Sequence, residues 1–120
     1  MNGNIQFDPT LHLQRPGLAL ANGRVYVAFA SHGDAGDYHG WLLAYSQLDL
    51  RQRVAVLNTT PDGIGGGIWQ SGRAPAVDAA GDIFVSTGNG DFTGITNFSG
   101  AILKLNGSDL SVADWLAPFN

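Results

Sequence analysis

The chain repeats itself, and the repeat limits its fold more than any other feature. Arg15-Pro16-Gly17 is echoed by Arg73-Ala74-Pro75, and Asn22-Gly23 by Ala80-Gly81. His32-Gly33-Asp34 is echoed by Asn89-Gly90-Asp91, Gly40-Trp41 by Gly100-Ala101, and Asp49-Leu50 by Asp109-Leu110. The marks recur in the same order at a period of about 58 residues, which is the signature of a repeat architecture.

Each repeat reads as four short strands. In the first, residues 17–20 lead into Asn22-Gly23, a hairpin signal because both residues tolerate positive φ. Residues 24–31 and 41–46 are rich in β-branched, aromatic and aliphatic side chains, and residues 54–57 complete the set. The second repeat follows the same order, with β-forming runs at 80–85 and 100–105. The absence of Glu and the 17 glycines point the same way, towards strands and tight turns.

A four-stranded unit of this size is one blade of a β-propeller. An eight-stranded sandwich accounts for the strands but does not require its halves to match loop by loop. The expected fold is therefore an all-β propeller segment of two four-stranded antiparallel blades. Residues 1–13 are expected as a linker or remnant of a preceding blade, 14–67 as the first blade and 68–120 as the second. Propellers close with about four to eight blades. The segment is thus expected to belong to a larger ring, its partners being the remaining blades or a second copy.

Composition excludes several functions. Ten acidic residues against six basic ones give a net charge of −4 with no basic run, which disfavours nucleic acid and anionic membrane surfaces. With no Cys there are no disulfides, thiolate zinc sites or Cys nucleophiles. No apolar run is long enough for a membrane-spanning helix, and residues 1–12 lack the pattern of a signal peptide.

If strands alternate in direction, residues 31–40, 58–72 and 87–99 emerge on one face of the blades. These are the long loops, whereas the opposite face has only tight turns. Ligand sites favour long loops on rigid scaffolds, so the candidate binding residues are His32, Asp34, Asp37, His39, Trp69, Asn89 and Asp91. The His and Asp side chains at 32–39 could ligate a metal, and Asn89, Asp91 and Asn97 could offer oxygens to calcium. Asx-type turn chemistry also accounts for both groups and is the favoured reading. Trp69 either caps the seam between blades or stacks on a flat ligand, while Trp41 and Trp115 are expected in the core.

The Gly63–Gly67 run lacks the Lys-Ser/Thr and the helix start of a phosphate cradle. Glycosylation sequons occur at Asn58, Asn97 and Asn106. No nucleophile, base and acid assemble into a catalytic set.

Segments 14–17, 30–34, 39–41, 67–72 and 86–90 resemble the quinoprotein alcohol dehydrogenase-like superfamily, propellers of pyrroloquinoline quinone (PQQ)-type repeats, closest to uncharacterised bacterial members. That resemblance implies an extracytoplasmic, periplasmic or secreted, full-length protein, and PQQ and calcium as the family's cofactors. The chain departs from the family at the blade-locking motif. Ala44, Ser46, Asp49 and Leu50 stand in its place in the first blade with no closing Trp, and Asn106, Asp109 and Leu110 in the second. The vicinal cysteine pair of the quinone-dependent dehydrogenases has no counterpart. Two readings follow: a binding or interaction scaffold, or a fragment of a PQQ- and calcium-dependent dehydrogenase whose active site lies mostly in other blades.

Overall fold

The computed structural model describes residues 4–118 and consists of two antiparallel sheets. The first contains β1 (His12–Leu13), β2 (Ala19–Ala21), β3 (Arg24–Ser31), β4 (Trp41–Ser46) and β5 (Arg53–Asn58). The second contains β6 (Ala76–Val77), β7 (Ile83–Ser86), β8 (Ile102–Leu105) and β9 (Val112–Leu116). A 3-10 turn at Gln70–Gly72 lies in the crossover between them.

Strand order follows chain order, β2-β3-β4-β5 and then β6-β7-β8-β9. Asn22 and Gly23 make the β2–β3 turn with φ of 55° and 69°, the left-handed geometry that such a two-residue hairpin needs.

The repeat is preserved in register. Ala19 pairs with Tyr26, as Ala76 does with Phe84; Leu42 pairs with Leu57, as Ile102 does with Leu116. Even the register irregularity recurs, between Ala44 and Tyr45 in one sheet and between Lys104 and Leu105 in the other. The two sheets thus share one strand order and one pairing register.

Residues 4–13, part of the stretch expected as a linker or remnant of a preceding blade, pack onto the first sheet. β1 pairs with the Ala30–Ser31 end of β3, beyond the stretch used by β2. Phe7 lies edge-on to Phe29 and Trp41 at ring-centroid distances of 4.6 and 6.0 Å.

The core lies between the sheets. Strand alternation turns Tyr26, Ala28, Leu42 and Ala44 inward from one side, and Ile83, Val85, Leu103 and Leu105 from the other. The sheets approach through their first strands: the Gly17 N–H donates to the Arg73 carbonyl at 3.2 Å, and β2 runs beside β6.

At the tight-turn end, the Tyr26 hydroxyl donates to the Gly107 carbonyl at 2.8 Å. Arg24 donates to the carbonyls of Gly107 and Ser108. The Asn22 amide donates to the Gly81 carbonyl at 2.9 Å. Gly107 permits this closure, because a Cβ there would stand 2.1 Å from the Gly81 oxygen.

Candidate functional site

The three long loops meet on one face, as the strand order requires. Bridges join His39 to Gly65 and Gly65 to Gly90, so one loop from each region contributes to a continuous backbone layer. Gly40 N–H donates to the Gly65 carbonyl at 3.0 Å, and Gly66 N–H to the Asn89 carbonyl at 2.9 Å. At Gly40 a Cβ would lie 1.9 Å from the Gly66 oxygen, so the sequence must have glycine for the loops to touch there.

Buried threonines staple this layer from below. Thr59 and Thr60 hydroxyls donate to the Gly66 and Gly65 carbonyls at 2.8 and 3.0 Å. The Thr87 hydroxyl donates to the Phe98 carbonyl at 2.6 Å and accepts from the Ala101 N–H at 3.0 Å. Each pairing removes a buried polar group that would otherwise cost about 1–3 kcal/mol. Ser99 Oγ is buried in the same layer and has no hydrogen-bond partner among the described residues.

The residues expected on this face divide into three groups. His32, Asp37 and Asn89 are exposed and point to solvent. Asp34 and Asp91 are exposed but already committed to the loops. Asp34 adopts φ 61° and accepts the hydroxyl proton of buried Tyr38, whose phenol is pushed up to about 12 by burial and by that acceptor. Asp91 accepts the Ile64 N–H at 2.9 Å through Oδ2. Asn97, also considered as an oxygen donor, is buried and accepts the Asp62 N–H at 3.0 Å.

His39 forms the third group, because it faces inward. Thr60 donates its hydroxyl to Gly65, so His39 Nδ1–H must be the donor towards the Thr60 carbonyl and Oγ1, both at 3.1 Å. Burial holds the His39 imidazole below its ordinary value, against the opposing effect of the Thr60 carbonyl. Its backbone N–H donates to His12 Nε2 at 3.1 Å, and Trp41 Nε1–H donates to the same atom at 3.2 Å. With Nε2 accepting twice, His12 carries its proton on Nδ1 and donates it to the Asp8 carbonyl at 2.7 Å. This His12–His39–Trp41 lock was not legible in the sequence, where His12 falls in a stretch without periodicity.

Among the described residues, no three His or Asp side chains converge so as to hold a metal ion. The long loops at 31–40, 58–72 and 87–99 themselves contain no Lys or Arg to neutralise an anionic quinone. Taken alone, these residues do not fit a quinone–calcium centre, and no reaction step is derived through one.

Trp69 lies over the seam, while the plug within it is Ile68, fully buried in the inter-sheet cluster with its N–H on the Phe29 carbonyl at 3.1 Å. Trp69 is half-buried above it, edge-on to Tyr38 at 6.2 Å and resting over Gly88. Trp41 is buried as expected. Trp115 is 40% exposed and covers Phe92, at 5.3 Å, instead of filling the core.

Gln70 is a residue that sequence reasoning missed. It sits at φ 39°, and its side-chain amide stitches the crossover to the second sheet. It donates to the Arg73 and Ala74 carbonyls at 3.3 and 3.1 Å and accepts the Ser86 N–H at 3.1 Å. These three bonds hold a backbone conformation that side chains other than glycine rarely adopt. Of the sequon asparagines, Asn97 is buried, while Asn106 is exposed and accepts from Ser108.

No family model matches the chain, and no curated protein matches it. Among solved structures it is similar to a quinohemoprotein alcohol dehydrogenase from Pseudomonas putida HK5, with a TM-score of 0.68 and 14% sequence identity. The superposition covers 93% of this chain and 21% of that one, so the chain spans about a fifth of that structure's length. The likeness shows the fold: an all-β segment of the propeller kind, made of two four-stranded antiparallel blades.

No helix among the described residues is long and apolar enough to cross a membrane.

Proposed function

We propose that the chain is a two-blade segment of a larger propeller that works as a binding scaffold, with the long-loop face as its contact surface. The observation that carries this reading is the cross-bridging of the three loops into one layer through His39, Gly65 and Gly90. A contact surface gains affinity when its backbone is fixed beforehand, because less ordering entropy is lost on binding. The loop face meets that condition, since Thr59, Thr60, Thr87, Asp91 and Asn97 are all committed to holding its backbone. His32, Asp37 and Asn89 are exposed polar groups left to meet a protein or small-molecule ligand, and half-buried Trp69, seated edge-on to buried Tyr38, supplies an aromatic edge.

The second reading is favoured by the solved structure that the chain resembles. In it, the blades belong to a quinone- and calcium-dependent dehydrogenase whose active site is built mainly by other blades. On that reading, as on the first, the full-length protein works outside the cytoplasm. The experiment that separates the two uses the full-length protein. The scaffold reading expects no copurifying quinone by absorbance and mass spectrometry. It also expects no dye reduction with alcohols or sugars after PQQ and calcium addition. Stoichiometric quinone, or substrate-dependent dye reduction, would overturn the scaffold reading in favour of the dehydrogenase.

A further inference from the structure

One side chain stitches down the approach to each sheet, and the two stitches differ in chemistry. His12 and Gln70 hold the same place in the repeat, each three residues before its marker arginine, Arg15 or Arg73. Gln70 is an amide, and its bonds to Arg73, Ala74 and Ser86 are indifferent to pH. His12 is an imidazole, and its bonds are not.

Three bonds hold the buried His12 ring in its neutral form. Nε2 accepts the His39 backbone N–H at 3.1 Å and the Trp41 indole N–H at 3.2 Å, while Nδ1–H donates to the Asp8 carbonyl at 2.7 Å. A second proton has only Nε2 to occupy. There it would point at two N–H groups, neither of which can turn to accept. The charged ring does not fit the lock, and when it leaves, both donors lose their acceptor.

Residues 4–13 are fastened through that ring. Phe7 stacks on it at 5.1 Å and packs edge-on against Phe29 and Trp41. The accompanying strand is only two residues, His12 paired with Ser31 and Leu13 with Ala30. Asn4, Ile5, Gln6 and Phe7 wall a cavity of about 700 Å³ over Trp41, Leu43 and Val56. Lifting the segment opens that cavity and bares the apolar face beneath it.

The charges around the ring do not reverse this. From its own segment, the Asp8 carboxylate attracts a charged His12, but it faces solvent and already accepts the Thr10 N–H and hydroxyl at 2.8 and 2.7 Å. From the loop before β4 come exposed Asp37 and His39, whose ring lies against Thr60. A charged His12 repels a charged His39, so acid loads both sides of the lock with like charge. β3 and β4 face the ring with the uncharged Ser31 and Trp41.

We propose that His12 is an acid-sensitive latch, whose protonation releases residues 4–13 from the first sheet and opens the apolar face they cover, while the Gln70 crossover stays closed. The latch stands on either reading of the function above. Release is linked to uptake of one proton by a freed imidazole, which occurs near pH 6.5 in an unperturbed ring. The docked segment binds fewer protons, so docking is complete above that pH and weakens by about tenfold for each unit below it, on the order of thirtyfold at pH 5.

Hydrogen exchange of the full-length protein, read by mass spectrometry at about pH 7.5 and about pH 5 and corrected for the intrinsic rate at each, tests the latch. Amides of residues 4–13 should lose protection on the order of thirtyfold in acid, and those of residues 67–75 should not. His12→Gln should keep residues 4–13 protected at both pH values, since an amide oxygen can accept both N–H groups and its NH2 can serve the Asp8 carbonyl without titrating. His39→Asn keeps the backbone donor and should still release the segment in acid. Wild-type protection of residues 4–13 that is unchanged in acid would overturn the latch, even where His12→Gln does not fold. Equal losses in wild type and His12→Gln would overturn the assignment to His12, and loss at both crossovers together would show general acid unfolding in place of local release.

Discussion

Gly107→Ala is the sharpest test of how the two sheets meet. The φ of Gly107 is not in the left-handed region, so by local conformation alone alanine would be neutral or stabilising by about 0.4–1 kcal/mol. The seam reverses that sign. The added Cβ would stand 2.1 Å from the Gly81 carbonyl oxygen and 2.7 Å from Asn22 Nδ2. The Gly81 oxygen is backbone and cannot rotate away, so the tight-turn end of the seam has to open by about 1 Å, a gap that forfeits up to half of each dispersion contact across it. Overpacking of this kind costs about 1–3 kcal/mol. The Tyr26 and Arg24 hydrogen bonds to the Gly107 carbonyl, at 2.8 and 2.9 Å, are strained as well, adding about 1 kcal/mol. The expected loss is about 3 kcal/mol, or roughly 10 °C in Tm for a domain of this size.

Tyr26→Phe provides the scale. It removes one seam hydrogen bond but orphans nothing, because Arg24 still donates to Gly107 and Asn22 to Gly81. Its cost should be about 1 kcal/mol. Thermal unfolding followed by circular dichroism, at one fixed protein concentration, reads both. A Gly107→Ala variant that melts at or above the wild-type temperature would refute the close backbone approach at the seam.

The repeat yields a second contrast. Leu42→Ala, in the buried seam, should cost about 3 kcal/mol in denaturant unfolding, whereas Ile102→Ala at the equivalent half-exposed position should cost under about 1 kcal/mol in the monomer; equal losses would contradict the assignment of faces. His39 is held below its ordinary value by burial, so the unfolded chain binds its proton more readily. The stability it contributes is complete above pH 6.5 and falls as the pH drops from there through the folded value. Tm should therefore decline as the pH is lowered below 6.5, and His39→Asn should flatten that decline; an unchanged slope would count against the buried position. Asp91→Ala should cost about 1 kcal/mol locally by freeing the Ile64 N–H, read as faster hydrogen exchange at Ile64 with little change elsewhere.

The frame of the fold was legible because it rests on local rules. Asn22-Gly23 announces its hairpin by backbone tolerance, and β3 and β4 occupy the predicted residues because alternation and β-branching mark them. The repeat supplied the order of strands and hence the face on which the long loops gather. What was not legible depends on which way a loop residue turns. Ile68 and Trp69 are adjacent and both apolar, and only the backbone path, fixed by the Ile68 bond to Phe29, decides which enters the core. His39 looked like a loop ligand among polar neighbours, yet it lies next to Gly40 at the mouth of β4 and is drawn in with that strand. The role of Phe7 and His12 was hidden because they hold the first sheet by ring packing and hydrogen bonds, which leave no period in the sequence.

The central claim is that these sheets are neighbouring blades, converging at their first strands and held at both ends of the seam. Nuclear Overhauser contacts in solution test it most directly. The account predicts contacts between the Gly17 amide and the Arg73–Ala74 backbone, together with contacts from the Tyr26 ring to the Gly107 α-protons. It predicts no comparable run of backbone contacts between β5 and β9. Absence of the Gly17–Arg73 contact, or a continuous β5–β9 approach, would contradict the blade arrangement and point to a closed sandwich.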